Sequence, residues 1–169
     1  MENSSYISDT EDVARLLHPS WVVDGVLQHY AFVLRRNETY ISVNRPAVSF
    51  YTADVTSFVE NHPTFYVDKS QTEYMRALLR VGDVRLSKVT IDDIVLNIDV
   101  EVEPRDAFTK SHAGIFTRYE GQNLKVGDTV SIESSENEVS TDDVLLELRS
   151  HLLDLARMEI CKLPPKSTT

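Results

Sequence analysis

Residues 94–103 read Ile-Val-Leu-Asn-Ile-Asp-Val-Glu-Val-Glu, so that Ile94, Leu96, Ile98, Val100 and Val102 alternate with Asn97, Asp99, Glu101 and Glu103. A two-residue period places the two sets on opposite faces of a strand, which predicts a half-buried strand with an acidic, solvated outer face. Working outward, the apolar and β-branched runs at 113–119 and 129–133 predict further strands, joined through Gly121 and the turn Val126-Gly127-Asp128. Upstream, 72–89 fits two templates: Tyr74 with Leu78 and Met75 with Leu79 are helically spaced, yet Ala77, Leu79 and Val81 alternate. Gly82-Asp83 reads as a turn and Val84, Leu86 and Lys88 continue the alternation, so the segment is assigned to strands. Nearer the N-terminus, Asp24-Gly25 between 21–23 and 26–27 predicts a hairpin, and 30–35 with 39–44 predicts a second one.

Helical signals lie at the flanks of these strands. Ser8 and Glu11 have capping-box spacing ahead of Val13, Leu16 and Leu17, which predicts a short helix ended by His18-Pro19. Thr52 precedes Val55, Phe58 and Val59, a second short helix stopped at His62-Pro63. After Thr141-Asp142-Asp143, the spacing of Leu145, Leu148, Leu152 and Leu155 predicts a helix over 142–161 with its stripe against the sheet. Leu146 and Leu153 widen that stripe, which asks for deep burial or for contact with another protein. The expected fold is a single α+β domain over 1–163, with a mainly antiparallel or mixed sheet, short N-terminal helices and a long amphipathic C-terminal helix packed on it. Pro164-Pro165 and the small polar residues after them predict a flexible tail at 164–169.

Composition bounds the function. The 169 residues carry 17 Lys and Arg against 27 Asp and Glu, a net charge of −10, which has the wrong sign for binding duplex nucleic acid. Five glycines, with no Gly-x-Gly-x-x-Gly and no Walker-type lysine, leave no phosphate-cradling loop. Residues 1–12 lack a secretory signal and no apolar run is long enough to span a bilayer, so a cytoplasmic location without membrane insertion is expected. Cys161 is the single cysteine and excludes an intrachain disulfide. Its neighbours Met158 and Ile160 point to an inert, partly buried thiol.

Candidate chemistry rests on histidines. His112, between Ser111 and Ala113-Gly114 at the mouth of a strand, has the reference pKa of an acid or base near neutrality. A histidine there also suits a backbone hydrogen bond. His18, before Pro19-Ser20, reads either as a helix stop or as a second functional histidine. If His18 and His112 converged with Asp24 or Ser111, a hydrolase or transferase site for a phosphorylated or nucleotide-like substrate would result. A metal site from His18, His29 and His112 lacks ligand-pair spacing, and no metal or cofactor is expected. His62 and His151 read as structural or solvated.

The strings His18-Pro19-Ser20, Gly25, Ala31-Phe32, Ser42-Val43 and His112-Ala113-x-Ile115 resemble a pattern of small uncharacterised bacterial proteins, over about a third of the chain. The resemblance implies a bacterial origin and transfers no catalytic role.

Six acidic residues fall in 92–106 and five in 131–143. Asp99, Glu101 and Glu103, on alternate positions, form either a solvated face or a docking surface for a basic protein partner. The leading expectation is therefore a small acidic binding module of the immunity, antitoxin or defence-accessory type, without catalysis. A histidine-dependent enzyme is the alternative, and a homodimer through Leu146 and Leu153 of the C-terminal helix is a third expectation.

Overall fold

Asp12–Leu17 forms a strand, β1, where the capping-box spacing predicted a helix. The Ser8 to Glu11 segment is only a turn, closed by the Glu11 N–H on the Ser8 carbonyl at 3.0 Å. The structure, a computed structural model, describes residues 6–34, 38–91, 94–102, 110–125, 129–131 and 138–165. After β1 comes the expected hairpin of β2 (Val22–Val23) and β3 (Val26–Leu27), whose tip holds Asp24 and Gly25 at φ 51° and 78°. Residues 29–32 then form a 3-10 turn rather than a strand, and β4 (Tyr40–Asn44) pairs elsewhere, so the second expected hairpin is absent among the described residues. Helix α1 (Tyr51–Asn61) forms where a short helix is expected, with Phe50 at its N-cap and Thr52, the expected cap, inside its first turn. β5 (Glu73–Arg80) follows, but Val81–Leu86 is a helix, α2, not a second strand. Next are β6 (Val89–Ile91), β7 (Ile94–Val102), β8 (His112–Tyr119), β9 (Gln122–Asn123), and the separate pair β10 (Thr129–Ser131) and β11 (Glu138–Ser140). Helix α3 (Thr141–Leu155) and β12 (Arg157–Lys162) complete the described chain.

The expected balance of helix and sheet is thus corrected. The protein is mostly one eight-stranded antiparallel sheet, in the order β12-β5-β1-β4-β8-β7-β6 with β9 on β8, and its three helices are short. The long C-terminal helix stops at Leu155, where its leucine stripe also stops, and the last five residues expected in it, with Lys162 after them, pair with β5 from Arg157↔Leu78 to Lys162↔Glu73. Arg-Met-Glu-Ile-Cys-Lys alternates at period two, and a paired edge strand satisfies every inward backbone group that a helix would satisfy internally. Of the tail, Pro164 and Pro165 are exposed and 166–169 lie outside the described residues.

Both faces of the sheet are covered in part. On one, Leu17, Leu79, Val100 and Ile115 share a core with Leu145, Leu148 and Leu152 of α3, each at most 2% exposed. Burying one such side chain stabilises the fold by about 1.5–3 kcal/mol. Leu153 packs against this core and Leu146 stays exposed, so the two widening leucines part company. On the other face α1 lays Tyr51, Val55 and Val59 over Ala14, Tyr74 and Leu78. There Arg76 Nη1 donates to Tyr51 Oη at 3.1 Å, Tyr51 and Tyr74 hydroxyls lie 3.2 Å apart, and burial pushes the Tyr74 phenol well above its usual value. No described helix is long and apolar enough to cross a membrane.

One irregularity of the sheet positions the candidate site. β1 pairs with β5 along all six residues but with β4 only at Ala14↔Asn44, after which the two strands diverge. Arg15 fills the fork: its Nε donates to the Ala31 carbonyl at 3.0 Å and its Nη1 to the Ser42 carbonyl at 2.8 Å. A guanidinium with several donors replaces the ladder bonds that the missing pairs would have made.

Candidate functional site

The fork between β1 and β4 opens into a cavity of about 300 Å³. Its polar floor comes from alternation on β4, where Ile41 and Val43 enter the large core and Tyr40, Ser42 and Asn44 take the opposite face. On β8, His112 lies opposite Asn44 and Gly114 opposite Ser42, so Ser42 and His112 are diagonal neighbours. Ser42 Oγ and His112 Nε2 are 2.5 Å apart, and the imidazole is only 8% exposed. Gly114 makes the room: a Cβ there would lie 2.7 Å from Tyr40 Cδ2, and the Tyr40 ring packs 5.9 Å from His112 and 5.0 Å from Phe116.

A second polar group adjoins the first. Asp54, in the first turn of α1, accepts at Oδ2 from the Ser111 N–H at 2.8 Å and from Ser111 Oγ at 2.6 Å. Asn44 Nδ2 donates to the same hydroxyl at 2.9 Å, and the Ser111 carbonyl accepts from the Arg45 N–H at 2.8 Å. The fully buried Ser111 therefore ties the start of β8 to α1 and to β4. Asp54, Asn44, His112 and Ser42 all line the cavity.

Three aromatic residues, Trp21, Phe58 and Phe65, also line the cavity. Trp21 and Phe58 each meet Phe65 edge to face, at 5.9 Å and 4.9 Å between centroids, and the Arg15 guanidinium lies 5.6 Å over the Trp21 ring. Polar groups and aromatic rings lining one cavity make it suited to an amphipathic guest. In the tautomer with Nε2 unprotonated, His112 can also take the Ser42 proton, which is the first requirement of a serine nucleophile.

The sequence candidates divide. Ser111 and His112 meet at the cavity, with Ser111 holding Asp54 in place. His18 packs edge-on against Phe65 at 5.2 Å and lies 6.1 Å from Trp21, so it neighbours two lining residues without lining the cavity itself. Its Nδ1 accepts from the Ser20 N–H at 3.1 Å and lies 2.6 Å from Ser20 Oγ, which caps the 3-10 turn 19–21 rather than ending a helix. Asp24 sits exposed at the β2–β3 tip and does not line the cavity; the carboxylate that does is Asp54. Ser42 and Asp54 were missed because each reads locally as an ordinary strand or helix residue. His29 is exposed against Tyr30, and among the described residues no three His, Cys, Asp or Glu side chains gather as a metal would require.

The acidic row carries its own cations. Asp99 Oδ1 accepts from Arg85 Nε at 2.7 Å, and Glu101 takes a bidentate pair from Arg118 at 2.7 Å and 2.6 Å. The Glu101 contact holds the Arg118 guanidinium above its usual pKa. Arg85 also donates to the Ile7 and Val100 carbonyls and to Asp9. Glu103 lies outside the described residues. Comparison with models of protein families, with curated proteins and with solved structures finds no match.

Proposed function

We propose that the protein is a cytoplasmic binding module and that it binds a small amphipathic ligand in the cavity between β1 and β4. The observation that carries this reading is that Ser42, Asn44, Asp54 and His112 line one cavity together with Trp21, Phe58 and Phe65. An apolar portion would pack on the aromatic rings, and a polar end would exchange hydrogen bonds with the floor. Docking of a basic protein on Asp99, Glu101 and Glu103 draws less support, since Arg85 and Arg118 already neutralise the first two carboxylates.

Trp21 is the single tryptophan and lines the cavity, so its emission reports on occupancy directly. Titration with nucleosides and with phenylalanine is expected to give a saturable change that weakens in Asn44→Ala. A flat response to both classes overturns the reading.

The contact of Ser42 Oγ with His112 Nε2 favours a second reading, a histidine-dependent hydrolase or transferase. A fluorophosphonate probe would then label Ser42 in the parent chain and leave His112→Ala unlabelled. Absence of labelling returns the site to binding alone.

A further inference from the structure

Strand β12 closes one edge of the sheet, and the geometry points to that edge as the seat of a second copy of this chain, paired antiparallel about a two-fold axis. The inner side of β12 is used along its whole length, in six consecutive pairs with β5, and its place at the end of the strand order turns the remaining backbone groups outward. An edge of six residues is long enough to template another strand. The other edge, β6, has only three residues.

Edges are usually guarded by outward charge. Here two of the three charges of β12 turn home. Arg157 Nη2 reaches back over the sheet to Asp12 of β1 at 3.1 Å, and Glu159 accepts from Arg76 of β5 at 2.9 Å. On the opposite face, Met158 and Ile160 stand in register with Ala77 and Met75, yet are 37% and 65% exposed. The edge therefore offers a backbone ladder and an apolar pair, with Lys162 at the end of the strand the charge not drawn back onto the sheet.

The occupant follows from the order of side chains. Antiparallel pairing centred on Ile160 sets Ile160 against Ile160 of the second copy, Met158 against the Lys162 stem, and Glu159 against Cys161. No like charges meet. That matters in a chain of net charge −10, for which most self-contacts would be repulsive. β12 itself has Arg157 and Lys162 against Glu159, near balance once the Asp12 contact is included. This dimer uses the strand after α3, not the Leu146 and Leu153 face of the helix.

Sedimentation velocity across micromolar concentrations tests it. The parent chain is expected to sediment as a dimer, and Ile160→Arg as a monomer with the same far-UV circular dichroism, the association weakened about tenfold or more. In a Cys161→Ser background, Ile160→Cys is expected to form a symmetric disulfide under mild oxidation, because paired antiparallel residues lie about 4.5–5.5 Å apart at Cα. A parent chain that stays monomeric throughout, or a dimer that Ile160→Arg leaves intact, overturns the proposal. A dimer that Ile160→Cys fails to cross-link overturns the register.

Discussion

Ser42 Oγ lies 2.5 Å from His112 Nε2, although the residue opposite Ser42 on β8 is Gly114. The contact is diagonal, and the absence of a side chain at Gly114 leaves room beside it for the Tyr40 ring. Ser42→Ala takes this partner from a nitrogen on an imidazole that is 8% exposed, and the loss is expected to cost about 1–3 kcal/mol of stability. Urea unfolding measures it. A change under about 0.5 kcal/mol, the range of surface substitutions, would show that the ring does not depend on this hydroxyl.

Gly114→Ala should be worse than its one added carbon suggests. The new Cβ would meet Tyr40 Cδ2 at 2.7 Å and Phe116 Cε2 at 2.9 Å, both on rings that are largely buried. Rings held on two sides cannot yield as a flexible chain end would, so about 1–3 kcal/mol is expected to be lost. Ligand-induced change in Trp21 emission should weaken too, as Tyr40 is pushed toward the floor of the cavity. Unfolding of the variant at the parent urea midpoint would contradict the close packing of Tyr40.

How much of this was legible depends on the range over which each feature is decided. β7 was readable because five apolar residues alternate over nine positions and no helix template fits them. α1 was readable from Val55, Phe58 and Val59 and from the stop at His62-Pro63. β1 was not, because Val13, Leu16 and Leu17 fit a helix face as well as a strand, and what settles them is pairing with Met75 to Arg80 far along the chain. β12 escaped because no glycine or proline separates it from α3; only the end of the leucine stripe at Leu155 marks the change. The site was half legible. His112 and Ser111 stood out by residue type, whereas Ser42 and Asp54 join them across sequence separations of 70 and 57, which no local pattern encodes. The acidic row was visible by alternation, but its compensation by Arg85 and Arg118 was not.

Arg45 and Glu11 form a nearly buried bidentate pair, Nε on Oε1 at 2.7 Å and Nη2 on Oε2 at 3.0 Å, with side chains 8% and 13% exposed. The pair joins the turn before β1 to the end of β4, the one place where those strands meet. Glu11→Ala leaves the guanidinium without this counter-charge in a site poor in water, and a loss of about 3–5 kcal/mol is expected. Trp21 emission should report a wider fork. A loss comparable to that at an exposed pair, about 1 kcal/mol or less, would show that Arg45 draws most of its support from elsewhere.

Asp68 gives the protein a pH dependence with a definite sign. Its Oδ1 accepts from the N–H groups of Thr72 and Glu73, each at 3.0 Å, and its Oδ2 accepts from Thr72 Oγ1 at 2.5 Å. The Thr72 hydroxyl foremost, with the two backbone donors, holds the carboxyl below its usual value of 3.8. A group whose pKa is lower in the folded chain binds fewer protons there than in the unfolded chain, so its contribution is complete above the unfolded value and disappears as pH falls through the folded one. Asp68→Asn keeps the shape and removes the charge. The gap in urea midpoint between parent and variant should stay constant near neutrality, narrow below about pH 4, and close once both forms of the parent are protonated. The residue is only partly covered, so added salt should shrink the gap at neutral pH as well. A gap that persists unchanged into strong acid would mean that the turn is held by the shape of the side chain and not by its charge.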